Sequence, residues 1–456
     1  MILAQTPPIV KRLRDEIISN TKPTEKNMII QREKKDKIRL GYIGLGRRGY
    51  DMLNKCFGEM ADVEISWICD LNEQKIEKTK ALLKEKGRAE PKATTNYREI
   101  LADGSVDAVA IMTGWDAHVE IALASMNAGK YTALEVGCAY DLSECFALVD
   151  TYERTGSPLM LLENCCYGRR EMMALKMVKE GIFGEIVHCD GGYLHYLPSE
   201  DLVKVVDGVE ATDHYRVYEY AARNCEQYPT HELGPISKVL NINRGNRMMS
   251  LSSFASKSRA LGCYFKENVS ENHPLQGKTF AQGDIITTVI TCAGGETIRL
   301  TLDTTLPRPY YSRNFTVRGT KGGCVEEARD CTFFFDGIPH NTTHNEKELY
   351  EKYDHPLHEE YSKIEALGSH GGMDWLVVRA FIESVKDGVN TPIDAYDSVA
   401  WMAIGPLSEA SIVKGGTPVE FPDFTRGKWL RREPAVTTKY SLDEIIKNDT
   451  PIVPKK

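Results

Sequence analysis

Apolar residues in the first half of this chain fall into short runs, separated by longer stretches in which they recur every three or four positions. Ile38–Ile43 is the first such run, and the turn Gly44-Leu-Gly-Arg-Arg-Gly49 closes it. A helix-compatible segment follows over 50–60, then a second run, Val63–Cys69, which ends in Asp70. Further runs over 106–112, 131–136 and 158–162 alternate with helical patterns over 116–128 and 142–155. Short apolar or β-branched runs read as buried strands, and a period near 3.6 between them reads as helix. Alternation of this kind predicts a parallel sheet with ligand at the carboxyl ends of its strands.

The pattern changes after residue 162. A helix over 170–180, closed by Gly181, leads into period-two stretches at 185–193, 247–254, 284–292, 297–303 and 314–318. Gly294-Gly295 between two of these reads as a hairpin turn. Two late helices, over 374–385 and 395–413, are expected to return towards the first domain. The expected fold class is therefore α/β: an N-terminal Rossmann parallel sheet over 37–162, then a C-terminal α+β domain over 163–420 with a mostly antiparallel open sheet. An extension, 1–36, precedes them, with one short helix over 8–19 and a linker over 20–36. A tail, 421–456, follows.

Composition narrows the function classes. The 456 residues carry 42% hydrophobic and 27% charged side chains, ordinary for a globular chain. A formal charge of −8 supplies no basic field, so no nucleic-acid partner is expected. No run approaches the roughly 18 apolar residues of a membrane span, and Lys11, Arg12 and Arg14 arrive too early for a signal peptide's apolar core. A cytoplasmic location is expected. The twelve cysteines are scattered without C-x-x-C spacing and read as reduced thiols. A metal site from His188, Cys189 and His195 is the weaker reading, and no metal is expected.

Gly44, Gly46 and Gly49 have the spacing of a dinucleotide-binding turn: tight bend, close backbone approach, helix–strand packing. Asp70 stands about 20 positions on, where a ribose hydroxyl acceptor belongs. The expected cofactor is NAD. Four later clusters fall at strand ends or a helix start. Thr113-Gly-Trp-Asp-Ala-His118 offers Trp115 to lie against the cofactor. Leu134-Glu-Val-Gly137 offers a carboxylate. Leu162-Glu-Asn-Cys-Cys-Tyr-Gly168 offers Asn164 for the nicotinamide ribose or carboxamide, and the Tyr167 phenol. Tyr228-Pro-Thr-His231, followed by Leu233-Gly-Pro235, offers a histidine poised to take a proton near neutral pH, with a helix start near the proline.

These clusters, in this order, resemble the Gfo/Idh/MocA group of NAD(P)-dependent sugar oxidoreductases. Over residues 37–323 the resemblance is closer to one branch, glycoside hydrolase family 109, the NAD-dependent α-N-acetylgalactosaminidases. Its more specific pieces are Glu163-Asn-Cys-Cys-Tyr167, Gly191-Gly-Tyr-Leu-His195, Tyr228-Pro-Thr-His231, Asn243-Arg-Gly245, Pro307-Arg-Pro-Tyr310 and Gly319-Thr-Lys-Gly322. Ordinary dehydrogenases of the group carry Glu-Lys-Pro after the fifth strand; here the tripeptide is Glu135-Val136-Gly137. Loss of the lysine matches the glycosidase branch, and Gly137 in place of that branch's proline is a departure.

The resemblance implies NAD contacts from Arg47, Arg48, Asp70, Trp115, Asp116, Ala117, His118, Glu135, Val136, Asn164 and Tyr228. It implies substrate contacts from Tyr193, Arg216, Tyr228, Pro229, Thr230 and His231, and from Tyr310 or Tyr311, between which the sequence does not choose. The segment between Tyr193 and Arg216 is longer than the family's. The implied reaction moves a hydride from sugar C3 to NAD, removes the acidified C2 proton, expels the C1 substituent, adds water and returns the hydride. His231 is the expected base at C3, Tyr228 its assistant, and Tyr167 a candidate for proton transfer at C2 or the leaving oxygen. The alternatives are a net sugar or polyol dehydrogenase, which must release NADH, and a non-catalytic sensor. The partner is a small carbohydrate or glycoside. An open sheet face could support a homo-oligomer, and no residue pattern decides it.

Overall fold

The computed structural model describes residues 32–206, 209–327, 330–339, 342–365, 367–447 and 452–453, so the short helix expected over 8–19 lies outside the described residues. The first sheet has six strands: β1 (Ile38–Ile43), β2 (Val63–Cys69), β3 (Lys92–Thr94), β4 (Ala108–Ile111), β5 (Tyr131–Leu134) and β6 (Leu159–Leu161). Their spatial order is β3-β2-β1-β4-β5-β6, and each pairing is parallel. β4, β5 and β6 are buried along their whole length and β1 at all but one residue, which is why they read as continuous apolar runs rather than alternations. Strand order reverses between β1 and β4, opening a crevice at their carboxyl ends.

The helix after β1 runs over Arg47–Lys55, then gives way at Cys56 to a single 3₁₀ turn, Phe57–Glu59, instead of one helix over 50–60. β3 and the helix Glu73–Glu85 before it were not anticipated. β3 is a three-residue edge strand with no apolar run to announce it.

The second sheet has nine strands, in spatial order His344–Asn345, Asp330–Phe335, Gly322–Glu327, Thr316–Gly319, β7 (Ile186–Leu194), Thr297–Asp303, Ile285–Cys292, Met248–Ala255 and Val419–Glu420. All neighbours are antiparallel except β7 with Thr297–Asp303. Gly294-Gly295 does form the hairpin turn, with Gly295 at φ +100°. The helix Thr230–Val239 lies on β7 because Gly191 makes room. A Cβ on Gly191 would sit 2.5 Å from the Cβ of Glu232.

The late helices do return to the first domain. Met373–Asp387 is tied to it by Arg379, which forks onto Asp62 at 2.8 and 2.7 Å. The helix expected over 395–413 is two, Ala395–Met402 and Ile404–Val413. Pro406 has no N–H to give the Met402 carbonyl, which accepts from Ala139 N–H at 3.2 Å instead. Beside these helices lies a buried ionic cluster: Lys238, Arg244 and Arg432 against Asp394, Asp397 and Asp443. It fastens residues 432–443 to the far end of the helix Thr230–Val239. Each of these six side chains is less than a tenth exposed, and three cations meet three carboxylates, so the set is neutral.

Candidate active site

The turn after β1 has the shape that a pyrophosphate needs. Gly44 stands at φ +96°, and a Cβ there would meet the Met112 backbone at 2.6 Å. A Cβ on Gly49 would meet the Gly44 carbonyl at 2.1 Å, whereas one on Gly46 would enter open space. The backbone at Gly46 therefore faces the crevice bare, at the start of the helix Arg47–Lys55. Asp70 is held at the end of β2 by the Leu45 N–H at 2.7 Å and the Asn72 N–H at 2.9 Å. Arg47 reaches out of the turn to pair with Asp201.

Arg48 turns inward. Its guanidinium forks onto Asp374 at 3.0 and 2.9 Å and lies 3.4 Å from Glu135. Asp374 also accepts from Asn164 Nδ2, Ser369 Oγ and His370 Nδ1, each at 2.8 Å. One fully buried carboxylate thus joins expected cofactor residues from three strand ends: Arg48 after β1, Asn164 after β6 and, through Arg48, Glu135 after β5. Burial opposes its charge, but His370 and Arg48 outweigh burial and hold the carboxyl well below its ordinary range. Sequence reading missed Asp374, because a lone Asp at a helix start looks like a cap; 368–374 carries Gly368, His370, Gly371 and Gly372 all at positive φ, an irregular loop with no periodic signal.

Trp115 is buried and donates to the Val136 carbonyl at 3.0 Å. Its ring occupies the space beside residue 137, where a Cβ would lie 2.6 Å from it, which explains a glycine there. Asp116 is exposed and Ala117 half-buried at the start of the same helix. His118 points inward, and its Nε2 meets the Thr113 carbonyl at 3.1 Å. Burial pushes its pKa down to about 4, so it is a neutral brace for the turn over 113–114.

Around the crevice mouth, side chains from both domains form an aromatic box. Tyr193, at the end of β7, and Tyr228 have ring centroids 4.4 Å apart, and Trp115 lies 6.0 Å from Tyr228. Arg216 stacks on Tyr228 at 4.3 Å and on Trp115 at 5.1 Å. Its Nε is buried and has no hydrogen-bond partner among the described residues. Tyr311, not Tyr310, carries ring contacts here, at 6.1 Å from Tyr193 and 5.1 Å from His195.

His231 sits edge-on to Tyr228 at 4.8 Å and to Tyr193 at 5.5 Å. Its helix begins at Thr230, after the buried Pro229, so His231 stands in the first turn as expected, and Pro235 lies further inside the helix. His231 Nδ1 lies 2.8 Å from Glu163 Oε1, which also accepts from Cys165 N–H at 3.0 Å. Glu163 is completely buried. Burial raises its pKa, but the imidazole and the Cys165 N–H overcome that and keep it below the usual value. An ionised Glu163 only accepts, so Nδ1 carries the hydrogen and Nε2 is left bare as a proton acceptor. Glu163 was legible only as part of a motif; nothing in the sequence said that it faces His231, 68 residues on.

Tyr167 is not brought to this box. It is fully buried, and its hydroxyl donates to the Tyr440 carbonyl at 2.8 Å, so it serves packing of the tail and has no proton to exchange at the site. His188 and Cys189 are neighbours on β7 and point to opposite faces, with His188 at 2.7 Å from Thr297. The described side chains that come within metal-sharing distance are instead Glu163, Cys165 and His231, within 4.8 Å of one another, and the Glu163–His231 hydrogen bond occupies that space. All twelve cysteines are free, and eleven are buried. None of the described helices is long and apolar enough to cross a membrane.

Residues 38–162 match the profile of the oxidoreductase family, NAD-binding Rossmann fold, and residues 167–431 that of the glycosyl hydrolase 109 C-terminal domain. An alpha-N-acetylgalactosaminidase of Tannerella forsythia is 39% identical over 419 residues, covering 87% of this chain and 88% of that protein. A glycosyl hydrolase family 109 protein of Stenotrophomonas maltophilia is 38% identical over 417 residues, covering 87% and 91%. Among solved structures, levoglucosan dehydrogenase in complex with NADH and levoglucosan superposes with a TM-score of 0.64 at 19% identity, over 85% of this chain and 100% of that one. That likeness is one of fold.

Proposed function

The chain belongs to the glycosyl hydrolase 109 family, and from that premise we propose that it cleaves terminal α-N-acetylgalactosaminyl-type sugars by transient oxidation at C3, elimination across C1–C2 and addition of water. The observation that carries this reading is His231. It is oriented by a buried carboxylate inside an aromatic box, at the carboxyl ends of a nucleotide-binding sheet. NAD, when bound, supplies the acceptor for the hydrogen leaving C3 and gives it back, so that it is not consumed.

The residues present fit that cofactor. The bare backbone at Gly46 suits the pyrophosphate, and Asp70 suits a ribose hydroxyl while repelling a 2′-phosphate. Arg48, Glu135 and Asn164, gathered by Asp374, stand where the nicotinamide half would lie, with Trp115 and Tyr228 behind it. In this reading, the bare Nε2 of His231 takes the C3 hydroxyl proton, worth roughly 10²–10⁴-fold in rate when within hydrogen-bond reach. Tyr193, Tyr228 and Tyr311 offer flat faces to a pyranose, and Arg216 offers donors to its oxygens.

The test is chromophore release from aryl α- and β-linked glycosides with NADH absorbance followed alongside. Release without NADH accumulation supports the reading. NADH accumulating from free sugar with no glycoside cleavage would make the protein a dehydrogenase instead.

A further inference from the structure

Tyr193 lies between two imidazoles. His231 is one; the other is His195, whose ring centroid is 5.5 Å from that of Tyr193. The Tyr193 hydroxyl is 2.9 Å from His195 Nδ1, and His195 Nε2 is 3.0 Å from Glu200 Oε2. Burial falls away along this line: Tyr193 is buried, the His195 side chain is 25% exposed, and that of Glu200 is 58% exposed. The segment holding Glu200 is pinned, since Asp201 pairs with Arg47 of the glycine turn, and the Tyr311 ring stands edge-on to His195.

The hydrogen-bond polarity follows from the outer end. A carboxylate only accepts, so Nε2 carries a hydrogen towards Glu200, and of the two neutral tautomers of the ring this selects the one in which Nδ1 is bare. Tyr193 must then donate its hydroxyl hydrogen away from the box, towards His195. Its oxygen lone pairs are left on the box side as acceptors, where the Arg216 guanidinium donates to one of them and favours negative charge on that oxygen. The pocket therefore holds two acceptors, each backed by its own carboxylate: His231 by Glu163, and Tyr193 by His195 with Glu200.

We propose that Tyr193, His195 and Glu200 form an outward proton relay that receives the C2 proton of the sugar and delivers it to the surface. This rests on the glycosidase reading above, which needs two protons removed, one from the C3 hydroxyl and one from C2. In the step, the C2–H bond breaks and its electron pair becomes the enolate conjugated with the C3 ketone. The proton goes to the Tyr193 oxygen as the Tyr193 hydrogen passes to His195 Nδ1 and the Nε2 hydrogen passes to Glu200. Expulsion of the C1 substituent then uses the enolate electrons. Tyr167, which the sequence offered for this step, has no access to it, and Tyr193 takes the place. Tyr193 is the catalytic residue of this step; His195 and Glu200 are positioning residues that act through it.

The test uses the full chain with NAD and an aryl α-N-acetylgalactosaminide carrying hydrogen or deuterium at C2. In Glu200→Gln, a change at an exposed side chain, kcat should fall about 10-fold with KM within about 3-fold, and the C2 deuterium effect on kcat should grow. In His195→Ala the fall should reach about 100-fold, within the range that proton transfer supplies, and added imidazole should restore part of it. Wild-type kcat and isotope effect in both variants would overturn the relay while leaving the glycosidase reading intact. So would a loss in His195→Ala that imidazole does not relieve and that brings no larger isotope effect. Absence of glycoside cleavage by the unaltered protein would bring down that reading, and the relay with it.

Discussion

Replacing Asp374 by Asn tests the cofactor half of the site most directly. The change keeps the volume but removes a buried charge that accepts five hydrogen bonds, two from Arg48 and one each from Asn164, Ser369 and His370. It also turns one acceptor into a donor aimed at other donors. Breaking a buried ion pair from one side costs about 3–5 kcal/mol. The Arg48 side chain is 32% exposed and keeps Glu135 at 3.4 Å, so the loss should sit lower, at about 2–3 kcal/mol of folding stability. Arg48 and Asn164 also lose the group that aims them at the cofactor, which should weaken NAD binding by about 10–100-fold, or about 1.4–2.8 kcal/mol. The folded carboxyl titrates far below the unfolded one, so its contribution is whole above about pH 4 and drains as pH falls further. Wild type and variant should therefore converge in acid. Urea midpoints at several pH values, with NAD titrated by fluorescence, measure all three quantities. A variant with the wild-type midpoint at pH 7 and wild-type NAD affinity would refute the hub.

Glu163→Gln should cut kcat by about 10²-fold while NAD stays bound, because the His231 tautomer is no longer dictated; single-turnover release of aryl product measures it, and unchanged turnover removes Glu163 from the site. Asp70→Ala should narrow the preference for NAD over NADP, read from paired binding titrations; an unaltered ratio would show that Asp70 does not meet the ribose. Glu226 is buried, and burial pushes its pKa up to about 8. It is therefore protonated in the folded protein at neutral pH, and stability that is complete below the unfolded carboxylate range is lost as pH rises towards about 8. Glu226→Gln should flatten that slope between about pH 4.5 and 8 and gain up to about 4 kcal/mol at the upper end; a urea-midpoint profile as steep as the wild type's would contradict it.

The fold of the first domain could be read almost strand by strand, because strands buried on both faces leave unbroken apolar runs and the glycine turn has a fixed geometry. β3 escaped because a short edge strand needs no such run. In the second domain the strands 322–327 and 330–335 were missed, since Gly322-Gly323 and three consecutive phenylalanines mask the alternation. For the site, the sequence named side chains but not their partners. Tyr228 and His231 were legible as a motif; that Glu163 dictates the tautomer of His231, or that Asp374 gathers Arg48 and Asn164, depends on contacts across 68 to 326 residues. Tyr167 shows the opposite failure. Its place in a motif suggested chemistry, and only its burial against Tyr440 reveals a packing role.

The neutral ionic cluster at the far end of the helix Thr230–Val239 has a consequence for the order in which the protein can be made. Lys238 and Arg244 are synthesised first, Asp394 and Asp397 some 150 residues later, and Arg432 and Asp443 after those, yet all six are buried in the finished fold. Lys238 and Arg244 stand without these carboxylates until Asp394 and Asp397 are made, and once Arg432 is added the set is one positive charge in excess until Asp443 joins it. The strands of the nucleotide-binding sheet, all within 38–161, are thus synthesised well before the helix bearing His231 has all the charges that fasten its far end.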